Sequence, residues 1–177
     1  MRNIYKLIII ISILFMLSSC RQNTNHNAEN LEMYILRHSV IDKNNSEIIK
    51  DDSPIFTGND IKSYDWDTHT IIFTDEFLAD RNVDDAEVSD SIIDGGSQIL
   101  GVFYPDQFAF YLDGEEMYRG YMKPQLFISF LPSGPIISDV ENGIEIKNVG
   151  NINDKTDPRD NKELYNFLKD KDLLKSN

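Results

Sequence analysis

Apolar and polar residues alternate with a period of two in several short stretches, the signature of strands that bury one face. Leu31, Met33 and Ile35 alternate with Glu32 and Tyr34, and Phe108, Phe110 and Leu112 alternate with Ala109 and Tyr111. After Leu112, Asp113-Gly114 supplies residues that tolerate positive φ, and Met117 to Tyr121 reads as the returning strand of a hairpin. A second hairpin is predicted from Pro135 to Val140, the turn Asn142-Gly143, and Ile144 to Lys147. Thr70 to Phe73 has the β-branched and aromatic make-up of a further strand.

Helix signals are fewer. Thr57-Gly58-Asn59-Asp60 has the form of a capping box and predicts a short helix running to Tyr64. Thr74-Asp75-Glu76 predicts a cap for a helix carrying Phe77 and Leu78. Near the end, Asp160 or Asn161 caps a helix with Leu164, Phe167, Leu168 and Leu174 on one face. Asp42 to Asp52 is a polar connection, Asp80 to Gly96 an acidic loop, and Leu126 to Leu131 an apolar run suited to a strand or a short helix. Strands outnumber helices and their turns are hairpin turns. The expected fold is therefore α+β: a single domain with a mainly antiparallel sheet and two or three helices packed on one face.

The first nineteen residues break from this pattern. Arg2 and Lys6 precede an apolar run from Leu7 to Leu17, followed by Ser18 and Ser19, which is the layout of a secretory signal peptide. At about 1.5 Å per helical residue the run is too short for a hydrocarbon core of about 30 Å. Leu17-Ser18-Ser19-Cys20 resembles the lipobox of bacterial lipoproteins. That resemblance implies a diacylglyceryl group on the Cys20 thiol, cleavage just before it, and acylation of the new amino terminus. Two or more chains matter physically, because a single acyl chain anchors only marginally. Cys20 is the only cysteine of the chain, so no intramolecular disulfide is possible, and acylation explains a lone thiol in an exported protein. The expected organisation is a signal peptide over 1–19, lipidated Cys20 with a flexible polar spacer to Asn30, and an extracytoplasmic domain over 31–177.

Losing residues 1–19 removes two of the 17 basic side chains and none of the 30 acidic ones, so the mature charge is −15. Nucleic acid is excluded as a partner, since such binding rests on basic side chains that neutralise phosphates. An anionic bilayer repels the body as well, so membrane contact is assigned to the lipid at Cys20. The localisation this implies is the cell membrane or outer membrane, on the extracytoplasmic side.

The second half resembles the large extracytoplasmic domain of SecD, an accessory subunit of the protein-export machinery. Leu112-Asp113-Gly114, Pro135-Ile136, Ile144 to Lys147 and a closing helix over 161–174 stand in that family's order, and Phe56 to Ile61 is similar to the segment that opens the domain. The resemblance implies an arrangement of strands and helices. Lys123 to Gly134 is an insertion relative to it, the family's membrane helices are missing, and no transport activity is carried over. Tyr64 to His69 is also similar to a segment of small exported bacterial proteins of unassigned function.

Candidate chemistry is sparse. His69 lies near Trp66, Asp65 and Asp67, and an imidazole there suits a base or metal ligand, against the plainer reading of a surface-loop histidine. The run from Asp80 begins like a calcium loop but has Asp85 where glycine is needed and Ser91 where glutamate is needed. Nucleophile-elbow, phosphate-loop and zinc-protease motifs do not occur. Phe108 and Phe110 are expected in the core, whereas Tyr111, Tyr118 and Tyr121 are expected to be partly exposed and, with Trp66 and His69, form the candidate binding residues. No cofactor or metal is expected. The leading expectation is a non-catalytic binding or accessory lipoprotein that engages an envelope protein or peptide. The alternative is an envelope hydrolase or metal-dependent enzyme built on His69 with Asp65 or Asp67.

Overall fold

The computed structural model describes residues 28–42, 45–81, 95–124, 132–150 and 157–175. Within them nine strands join one sheet: β1 (Leu31–Asp42), β2 (Asn45–Lys50), β3 (Phe56–Thr57), β4 (Ile61–Asp65), β5 (Thr70–Phe73), β6 (Gln107–Leu112), β7 (Glu115–Met122), β8 (Gly134–Val140) and β9 (Gly143–Val149). Helix α1 (Asp75–Asp80) follows β5, and α2 (Lys162–Asp170) follows β9. The strand order is β2-β1-β6-β7-β8-β9-β5-β4, with β3 also paired to β1. The β7–β8 pair is parallel and the remaining pairs are antiparallel. This is the expected sheet-dominated α+β domain. The signal peptide, Cys20, the acidic run 82–94 and the apolar run 126–131 lie outside the described residues. Among the described residues, no helix is long and apolar enough to cross a membrane.

Both predicted hairpins form. Asp113 and Gly114 adopt φ of 52° and 81°, and Asn142 adopts 56°, the left-handed conformations that reverse a strand tightly. The capping box also forms: the Thr57 hydroxyl accepts the Asn59 N–H, and the Asp60 carboxylate accepts the Thr57 N–H at 2.7 Å. The helix it opens is a single 3-10 turn, Gly58–Asp60, and not a helix to Tyr64. Ile61 to Asp65 is strand β4, with a register irregularity between Ile61 and Ser63 that lets Ile61 and Tyr64 both face inward. The polar connection after Asp42 likewise contains a strand, β2, paired to β1 from Leu36↔Lys50 onward. Ala28, in the expected spacer, is buried and donates its N–H to Asn59 Oδ1 at 2.7 Å, so the folded body includes the spacer's last residues.

The sheet curls until its ends approach one another. Phe56, beside β1, sets its ring 5.8 Å from that of Phe110 on β6 and 5.0 Å from that of Phe73 on β5. Phe77 of α1 stacks on Phe73 at 4.4 Å, and Leu164 and Leu168 of α2 enter the same core cluster. The edge at β4 is covered by the chain's own end: Tyr64 N–H donates to Leu173 O at 2.7 Å and Lys175 N–H to Tyr64 O at 2.9 Å. Lys175 Nζ also pairs with Asp65 at 3.2 Å. Among the described residues, no strand covers the other side of β2, where Ile48 and Ile49 are 43% and 49% exposed.

Phe56→Ala removes the ring that joins the two ends, and chemical denaturation is expected to register a loss of about 3–5 kcal/mol. Phe103→Ala, at a side chain 53% exposed, is expected to stay within about 0.5 kcal/mol of the parent. Equal losses in the two variants would contradict the closure at Phe56.

Candidate functional site

The five aromatic and imidazole candidates separate into two regions on opposite sides of the sheet. Trp66, His69 and Tyr118 belong to the inside. The β4–β5 turn that carries His69 is shaped by Asp65, whose Oδ1 accepts the N–H groups of Asp67 at 3.1 Å and Thr68 at 3.2 Å. His69 closes that turn with φ of 50°, and its carbonyl accepts the Ile146 N–H from β9 at 3.1 Å. Its side chain is only 6% exposed, with the Trp66 ring at 5.4 Å and Tyr165 of α2 packed on Trp66 at 5.0 Å. His69 is therefore a buried residue and not one of a surface loop.

His69 Nδ1 is hydrogen-bonded to the Tyr64 hydroxyl at 2.9 Å, and its Nε2 stands 3.7 Å from Asp160. Its nitrogens face these two residues. Asp65 is committed to the turn and to Lys175, and the Asp67 side chain has no hydrogen bond to the ring. Burial pushes the His69 pKa below its ordinary value, the nearby Arg159 guanidinium pushes the same way, and Asp157, Asp160 and Asp65 oppose them. Arg159 is pinned by Asp157 at 2.5 Å and by the Ile146 carbonyl, and this pairing holds the Asp157 carboxyl down at about 2. Tyr118 was expected to be partly exposed, but it is buried, and its hydroxyl has no hydrogen-bond partner among the described residues. Burial raises the pKa of the Tyr64 and Tyr118 phenols, and the neighbouring Tyr64 hydroxyl raises that of Tyr118 further.

The outside of the sheet holds Tyr111 and Tyr121. Pairing of Tyr111 with Glu32 on β1, and of Tyr121 with Gln107 on β6 and Ile136 on β8, places both on the face away from the core. The Tyr111 ring meets that of Tyr34 edge to face at 5.4 Å. The Tyr34 hydroxyl donates to Glu32 at 3.2 Å and that of Tyr111 to Glu116 at 3.1 Å. Arg119 grips Glu116 through two bonds of 2.7 Å, and it is the first cause of that carboxyl's lowered pKa. Lys50 Nζ lies 3.9 Å above the Tyr34 ring and 4.7 Å from that of Tyr111.

Tyr34 and Lys50 escape a reading of the sequence because they meet only across the β1–β2–β6 pairings. Arg159 and Asp157 escape it because their neighbour His69 is distant in the chain. An open groove of about 390 Å³ lies between the β6–β7 turn and α2, with Asp113, Glu115 and Glu163 in its lining, so its field is anionic. Among the described residues, no group of three His, Asp or Glu side chains is placed to hold a metal ion.

The histidine gives a pH signature. Its folded pKa lies below the unfolded one, so the unfolded chain binds the extra proton first, and stability is lost as pH falls below the ordinary histidine value of 6.5. Denaturation at a series of pH values is expected to show this loss as pH falls below 6.5, and His69→Gln to flatten the onset of that loss. The separate loss as Asp157 protonates, from its ordinary 3.8 toward about 2, should remain. An unchanged slope in His69→Gln would contradict the burial described. No protein-family model matches this chain, and no curated protein or solved structure matches it at a significant level.

Proposed function

We propose that this chain is a non-catalytic binding or accessory lipoprotein of the bacterial cell envelope, tethered through lipid on Cys20 to the extracytoplasmic side of the cell membrane or outer membrane. Its partner is an envelope protein or peptide that pairs along β2. The observation that carries the binding reading is the difference between the two edges of the sheet. The β4 edge is occupied by Leu173 to Lys175, whereas the β2 edge presents backbone groups beside the exposed side chains of Ile48 and Ile49. An extended segment gains main-chain hydrogen bonds there and apolar contacts from both isoleucines.

The anchor is supported by the apolar run ending in Leu17-Ser18-Ser19-Cys20 and by the −15 charge of the mature body, which needs covalent lipid to stay at a bilayer. Both helices are taken to pack on the core-facing side of the sheet, because Phe77, Leu78, Leu164 and Leu168 share one apolar cluster. The resemblance to SecD bears on strand order alone, and no transport step is assigned.

Two readouts in intact envelopes test this reading. Cys20→Ser is expected to leave the membrane fraction and to lack the lipid mass at the mature amino terminus. A photo-reactive residue at position 49 is expected to give a discrete adduct, and one at position 103 none. Membrane retention of Cys20→Ser would remove the anchor, and equal adducts at both positions would remove the edge.

A further inference from the structure

The cation over Tyr34 and Tyr111 is held unlike the other basic side chains near it. Lys50 is the last residue of an edge strand and is exposed to solvent. Among the described residues it makes no ion pair, whereas Arg37 and Arg119 each have a carboxylate partner. Its ammonium rests on the electron-rich faces of two half-buried tyrosines set edge to face. Glu32 and Glu116 stand at the rims, each accepting a tyrosine hydroxyl, and they orient the rings and add negative charge.

This arrangement has the parts of an ammonium receptor: two aromatic walls, carboxylate oxygens at the margin, and an entrance from solvent. We propose that the Tyr34–Tyr111 pair is a binding site for the side-chain ammonium of a lysine in a basic partner, and that Lys50 fills it in the unbound protein. The proposal deepens the binding reading above and rests on it for the partner's class, not for the site. A primary ammonium is the fitting ligand because the cation that rests on the two rings, that of Lys50, is itself a primary ammonium. A peptide lysine is favoured over an amine-bearing lipid because the neighbouring β2 edge, uncovered among the described residues, suits an extended chain, which delivers a side chain beside Lys50. The body's charge of −15 and the anionic groove beside α2 favour a basic partner.

Lys50 is a resident competitor, so removing it should strengthen binding of a free ligand by the fraction of time the site was filled. The experiment uses the full chain in neutral detergent micelles, with tyrosine ring resonances followed during titration with Nα-acetyl-lysine methylamide. Lys50→Ala is expected to bind this probe about fivefold more tightly than the parent, with shifts at Tyr34 and Tyr111. The uncharged Nα-acetyl-norleucine methylamide should leave the rings unmoved, and adding Tyr34→Leu to Lys50→Ala should abolish the response. If the amide spectrum shows that Lys50→Ala disturbs the fold, Lys50→Gln gives the same comparison with most of the side chain kept.

Equal affinity in parent and variant would overturn the proposal, as would an equal response to the norleucine probe. Vesicles of phosphatidylethanolamine that displace the probe more effectively than a lysine peptide would overturn it in favour of a lipid ligand. The titration requires neither anchor nor partner, so its failure is distinguishable from loss of the adduct at position 49.

Discussion

The contact on which the structure turns is that of the Phe56 ring with Phe110 on one side and Phe73 on the other. These three side chains come from strands that are not neighbours in the sheet, and their mutual burial obliges it to curl. The two-residue β3 and the single 3-10 turn after it carry the chain from β1 to β4 in a few residues, which is affordable only across such a closed gap. Gly58 sits within this crossing, where a Cβ would meet the Ala28 side chain at 2.8 Å. Apolar burial of this kind is the largest favourable term available to a domain with no disulfide.

Curling gives the sheet an inside and an outside with different chemistry. Inside, polar side chains are buried or half-buried and mostly satisfied: His69 on Tyr64 and Arg159 on Asp157, with the Tyr118 hydroxyl left without a partner among the described residues. Such a cluster rigidifies the join between the β4–β5 turn and the segment before α2, and Trp66, backed by Tyr165, packs over its histidine. Outside, the tyrosines keep contact with water and hold a cation. The recognition proposed for this protein lies on the outer face and along the β2 edge, while the inner cluster ties the β4–β5 turn to the segment before α2.

Much of this was legible in the sequence where local chemistry decides. Asp113-Gly114 and Asn142-Gly143 announced their hairpins because only residues at ease with positive φ make such turns. The capping box at Thr57 was legible, but the helix length was not, since Ile61 and Tyr64 have a spacing of three. A register irregularity in a strand reproduces that spacing. Another irregularity, between Phe110 and Tyr111, places Tyr118 opposite Phe110 and turns it inward, which alternation counted from the hairpin turn does not foresee. His69 looked like a loop histidine because its cover comes from Trp66 and from a helix almost a hundred residues later. β2 was hidden by its polar make-up, Asn45-Ser46-Glu47, and by isoleucines that reach solvent.

Hydrogen exchange of the backbone amides addresses the account most directly, because it reads the two edges of the sheet in one experiment. The unequal edges predict strong protection at Tyr64 and Lys175, whose N–H groups are bonded across β4, and rapid exchange at the β2 amides not bonded to β1. Slow exchange along the whole of β2, or fast exchange at Tyr64 and Lys175, would contradict it.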